Sequence, residues 1–135
     1  MSLRTKAREY AMQMLFQFEM SPQDSKKLET KFWKSAKAAD TTREFANALF
    51  EGAANETAFA DEQVTKHAVD WKLERIAAID RAILRLGIYE LRSGETPARV
   101  VINESVELAK KFSSEDASAF VNAILDTVRK SLIKS

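Results

Sequence analysis

Apolar residues recur along this chain at spacings of three and four, the period of an α-helix, and they do so in about seven blocks. The first block, 4–20, places Ala7, Ala11, Met14, Leu15 and Phe18 on one face; Met12 and Phe16 fall beyond it, on the side away from a core. Ser21 and Pro22 end it, because proline cannot continue the backbone ladder. A second helix is expected over 26–38, carried by Leu28, Phe32, Trp33 and Ala36. Thr41, with Glu44 three residues on, reads as the capping box of a third. That helix uses Phe45, Leu49, Ala53 and Phe59, with Gly52 a weak or closely packed point. A short fourth helix is expected over 62–69. The fifth, over 73–92, has its stripe on Leu73, Ile76, Ile83, Leu84, Gly87 and Leu91 and stops at Ser93 and Gly94. The sixth runs behind Pro97 over 98–112. The seventh starts near Ser114, where serine and acids suit a helix N-terminus, and runs to Leu132. No period-two alternation and no internal repeat interrupt this pattern. Three glycines and two prolines are too few for the turns of an all-β fold, so the fold class is all-α.

Composition narrows the function classes. A chain of 135 residues is expected to form one domain with a real core. Its net charge is +1, so any nucleic-acid site must be a local basic patch rather than a polycationic whole. Without cysteine there is neither a disulfide framework nor thiol chemistry, which fits a reducing cytoplasm. No apolar run approaches the roughly 20 residues that span a bilayer. The first six residues hold no apolar signal core, so neither membrane insertion nor secretion is expected.

Catalytic patterns are missing. The one histidine, His67, has Asp70 three residues on but no second cluster to complete a metal site. Glu104 and Glu107 lie three apart without a histidine partner, and read as a solvated face rather than a di-metal set. The three glycines stand too far apart for a phosphate loop, and there is no nucleophile elbow. No cofactor is expected, and the chain does not read as an enzyme.

Several polar and aromatic positions fit binding instead. Arg4 and Arg8 are one turn apart on the rim of the first helix, beside Phe16, and Lys6 lies round the other side. Guanidinium groups take phosphates and aromatic planes stack bases, so this rim suits RNA; the wheel by itself favours the plainer alternative, Phe16 packed under a neighbouring helix with the arginines solvated. Asp80 falls inside the apolar stripe of the fifth helix, where it needs an internal donor or a partner to face. The opposite face carries Arg81, Arg85, Tyr89 and Arg92, either a basic strip with an aromatic or a solvated face. Asn103 and Asn122 sit within helices and are expected to tie neighbouring loops. Asp116 and Phe120, one turn apart near the start of the last helix, present an acceptor and a ring to a ligand, or pack inward.

Taken together, these segments resemble the NusB family of bacterial transcription antitermination factors. The resemblance rests on Arg8, Glu9, Ala11, Leu15 and Phe16; on the runs 83–91 and 101–110; on Pro97; and on Glu115, Asp116 and the run 120–126. It covers nearly the whole length and is weak over 21–40. It implies two packed helical sub-bundles. It further implies binding of the boxA element of ribosomal-RNA transcripts together with the ribosomal protein that serves as NusE, and docking on elongating RNA polymerase with other Nus factors. RNA-contacting positions implied by the resemblance are Arg4, Lys6, Arg8, Asp116 and Phe120, to which the basic strip of the fifth helix adds Arg85; partner-facing positions implied by it are Phe16 and Asp80. Two alternatives stay open: a helical protein–protein module, as a homodimer that hides the RNA face, and an RNA-binding domain like the N-terminal region of ribosomal-RNA cytosine methyltransferases. The chain ends at Ser135 without a sheet to hold a methyl donor, so methyl transfer is not expected.

Overall fold

The computed structural model describes residues 2–134. It is all-α, with α1 (Leu3–Met20), α2 (Ser25–Ser35), α3 (Asp40–Asn55), α4 (Thr57–His67), α5 (Ala78–Ser93), α6 (Ala98–Phe112) and α7 (Glu115–Lys134), plus one 3-10 turn at Leu73–Arg75. α1 packs on α2 and α3 to make one sub-bundle; α6 and α7 pair to make the other. α5 lies between them and touches α1, α3, α4, α6 and α7. Its buried residues Ile83, Leu84, Leu86 and Ile88 join Met12, Met14, Phe50, Val121 and Leu125 in one continuous core. Each such side chain contributes roughly 1.5–3 kcal/mol by leaving water.

The helix starts and stops have identifiable causes. Ser2 and Asp24 cap α1 and α2, accepting from the amides of Thr5 and Lys27. Gly94 closes α5 in the left-handed conformation at φ 71°, which a residue with a Cβ adopts only with strain. The Ser114 hydroxyl accepts from the Ala117 amide at 3.0 Å, as expected for the start of α7.

Four boundaries differ from the sequence expectation. α2 ends at Ser35, three residues early, where the Ser35 hydroxyl donates to the Phe32 carbonyl and Ala36 turns extended. The Thr41–Glu44 capping box does not form: the helix has already begun at Asp40, after an Ala39 that offers no side-chain cap, and Asp40 supplies negative charge to the first turn. Phe59 belongs to α4, not α3. The Thr57 hydroxyl donates to the carbonyls of Ala53 and Ala54, satisfying the orphan groups at the end of α3 and letting a new helix start five residues sooner than expected. α5 starts at Ala78 rather than Leu73. The Arg81 guanidinium donates to the carbonyls of Leu73 and Ile76 and holds that segment as a turn across the mouth of the helix.

Candidate nucleic-acid interface

The amino-terminal turns of α1 bring their basic residues to very different environments. Arg4 is exposed, its guanidinium 5.2 Å from the centre of the Phe45 ring on α3, with no carboxylate partner. Lys6 is half-buried, 3.3 Å from Glu9 and 5.1 Å from the Tyr10 ring. Arg8 departs from the expected rim position. It is only 3% exposed, and its Nε and Nη2 each donate to the Glu90 carboxylate at 2.8 Å while Nη1 reaches Glu104 at 3.3 Å. A guanidinium so occupied is held within the chain, and Arg8 orients α1 against α5 and α6. Glu104 also accepts from the Thr5 hydroxyl at 2.6 Å, so it is part of this network and not a solvated face. Glu9, which sequence reading left without a role, is buried and takes Lys111 at 2.7 Å.

The face of α5 expected to be a basic strip is also internally neutralised. Arg85 is 12% exposed and donates from Nε and Nη2 to Asp61 of α4 at 2.8 Å each, and from Nη1 to Glu19 of α1. Arg81 donates from Nε to the same Glu19, and that hydrogen bond holds the Glu19 carboxyl below its usual range. Arg85 is therefore a cross-link between α1, α4 and α5. Arg92 lies over the Phe59 ring at 3.9 Å and near Glu56 at 3.4 Å. The acids that do this, Glu19 and Asp61, come from other helices, so the wheel of α5 gave no sign of them.

Phe16 and Met12 are likewise displaced from expectation. Met12 is fully buried, and Phe16 is half-buried against the core. The wheel of α1 put both outside because it assumed one buried arc, whereas α1 is packed between α3 and α5. Asn103 and Asn122 face solvent, with no tie to a loop.

Three expected site residues come together. Asp80, Asp116 and Phe120 line one open pocket of about 290 Å³ where the start of α5 meets the start of α7. Trp71 and Arg75, from the connection before α5, complete its wall, and Trp71 meets Phe120 edge-on at 6.1 Å between ring centres. Trp71 is 53% exposed, a large ring left in contact with water. Asp80 is 9% exposed and has no ion pair, and its Oδ1 is buried without a hydrogen-bond partner. It sits in the first turn of α5, at the positive end of that helix. Of the two readings left open for Asp80, an internal donor is not found, and the pocket combines an unsatisfied carboxylate, a second acid and two rings. Sequence reading missed Trp71 and Arg75, because nothing local distinguishes them from ordinary loop residues.

No group of three or more metal-capable side chains occurs among the described residues, and no described helix is long and apolar enough to cross a membrane. Residues 5–130 match the model of the NusB family. The transcription antitermination protein NusB of Koribacter versatilis is 43% identical over 131 residues, covering 96% of this chain and 90% of that protein. The one from Sorangium cellulosum is 38% identical over 133 residues, covering 98% and 95%. Among solved structures, a chain in the crystal structure of the antitermination factors NusB and NusE in complex with double-stranded RNA superimposes with a TM-score of 0.85. It is 28% identical, covering 97% of this chain and 98% of that one. With a match spanning nearly every residue and relatives this similar over their full length, the chain belongs to the NusB family.

Proposed function

We propose that this protein is a non-catalytic transcription antitermination factor. In this reading it binds boxA-type RNA of ribosomal-RNA transcripts jointly with a NusE-type ribosomal protein, and the pair joins elongating RNA polymerase with other Nus factors. The observation that carries the proposal is the full-length likeness to a NusB chain whose crystal structure holds both NusE and RNA.

The geometry supports a division of labour. Arg4 and Lys6 supply positive charge at the amino-terminal rim, where neither is committed to a bidentate internal pair. Phe120 and Asp116 offer a ring and an acceptor at the mouth of the pocket, suited to an unstacked base. Asp80 offers a carboxylate already stripped of water and unpaired, suited to a cation of a basic partner protein. Phe16, only half-buried, is kept in this reading as a partner-facing position. With a net charge of only +1, the chain gains RNA affinity chiefly by borrowing its partner's positive surface.

The test is transcription in a purified system, with a terminator placed downstream of a boxA element. Adding this protein with its cognate ribosomal protein and the other Nus factors is expected to raise read-through. Read-through that does not depend on this protein would overturn the proposal.

A further inference from the structure

The weakly matching segment between α1 and α3 carries a run of exposed cations without acidic partners. Between Lys26 and Arg43 stand six cations against two carboxylates, Glu29 and Asp40, in a chain whose net charge is +1. Lys27, Lys31 and Lys34 are spaced four and three apart, so they share one face of α2. All three are exposed, as is Lys37, and none has a carboxylate within ion-pair distance; Lys31 reaches only the Gln23 amide oxygen, at 3.5 Å. What sets this face apart is the clustering: elsewhere Lys6, Arg8, Lys26, Arg81, Arg85, Arg92, Lys110, Lys111, Arg129 and Lys130 are paired with acids, whereas here four cations without an acid stand within eleven residues.

The strip is built as well as charged. Arg43 donates from Nε to the Ala38 carbonyl at 3.1 Å and lies 5.7 Å from the centre of the Trp33 ring, which is itself fixed by a 2.8 Å hydrogen bond from Nε1 to Asn47. Its guanidinium is therefore oriented without being neutralised. Trp33 in turn packs against Tyr10 at 5.1 Å, and Tyr10 lies under Lys6 and donates to the Lys37 carbonyl at 3.4 Å. These contacts run without a gap from the α1 rim to α2. The groove between Lys34 and Arg43 is lined by one acid, Glu29, and burial with the neighbouring Glu51 pushes that carboxyl up to about 7, reducing its negative charge near neutrality.

We infer that α2 and the start of α3 form a phosphate track that carries the RNA strand onward from the Arg4–Lys6 rim, with Lys31, Lys34, Lys37 and Arg43 meeting backbone phosphates flanking the recognised element. The inference rests on the RNA-binding reading above. Lysines acting as point charges on phosphates give affinity without sequence preference and a dependence on salt.

The experiment titrates two fluorescein-labelled RNAs with the protein and its cognate ribosomal protein over a range of salt: boxA alone, and boxA with about ten extra nucleotides on each side. The triple variant Lys31→Gln, Lys34→Gln, Lys37→Gln alters only exposed side chains, and its circular dichroism should match the parent. For the longer RNA, the variant is expected to bind at least tenfold more weakly at low salt. Its log–log salt slope should be shallower by about 2, since each single-strand contact contributes roughly 0.7. For the short RNA, parent and variant should agree. Equal affinities and slopes on the longer RNA would overturn the track and leave the strip to an acidic protein surface. Failure of the parent to bind either RNA would instead sink the RNA-binding reading, and the track with it.

Discussion

Arg8 of α1 and Glu90 of α5 form a two-point ion pair, each 2.8 Å contact made between buried groups 82 residues apart in sequence. Removing one member leaves the other charged and dry, which costs about 3–5 kcal/mol. Arg8→Ala should therefore lower stability by that order in urea unfolding, whereas Arg8→Met with Glu90→Leu should recover much of it. RNA affinity, measured on the fraction that remains folded, should change little. A stable Arg8→Ala protein that has lost RNA binding would show instead that this guanidinium is free to reach phosphate.

Glu29 gives the fold a pH dependence near neutrality. Burial, then the adjacent Glu51, raise its carboxyl from 4.5 to about 7 in the folded chain. The folded state thus holds this proton more tightly than the unfolded state, so its contribution is fully present below about 4.5 and is lost as pH rises through 7. Glu51 works oppositely: the hydrogen bond with Glu29 and then the one from Lys26 lower its pKa, so its contribution is lost only in acid. Between pH 5 and 8 the stability of the protein should fall by up to about 3 kcal/mol. Glu29→Gln should flatten that slope and be the more stable protein at pH 8. An unchanged slope in the variant would assign the pH dependence elsewhere.

In the proposed reading Asp80 serves the partner and not the RNA. Its Oδ1 is unsatisfied within the chain, so Asp80→Asn should leave thermal stability nearly unchanged. Asp80→Lys should weaken binding of the ribosomal protein by about 2–5 kcal/mol, read by calorimetry, because a like charge would then face a basic surface. RNA contact by the protein alone should persist. Full partner affinity in Asp80→Lys would remove this carboxylate from the interface.

Gly52 is a close-approach site. A Cβ there would lie 2.3 Å from the Tyr89 ring carbon and hydroxyl, so Gly52→Ala must displace the ring that joins α3 to α5. The expected loss is about 1–3 kcal/mol, as for overpacked cores. A neutral or stabilising Gly52→Ala would mean that Tyr89 swings away freely.

The fold was largely legible because its helices are written by local periodicity and by caps such as Ser114 and Gly94. The site was legible only in part. Asp80, Asp116 and Phe120 each stood out against its own helix, and the structure gathers them in one pocket. The internal pairing of Arg8 and Arg85 was not legible because their neutralising acids, Glu90, Glu19 and Asp61, lie on other helices, and a single-helix wheel shows which side a residue faces but not what waits there. Trp71 and the basic face of α2 escaped notice for the converse reason. Neither breaks a local rule, and each acquires meaning only beside Phe120 or Arg43.

The most direct test of joint RNA recognition is an anisotropy titration of boxA RNA and of a scrambled RNA of equal length, each with and without the cognate ribosomal protein. The partner should tighten boxA binding by at least about tenfold, a coupling of roughly 1.4 kcal/mol, and the scrambled RNA should gain much less. Equal binding of the two RNAs, or no gain from the partner, would contradict it.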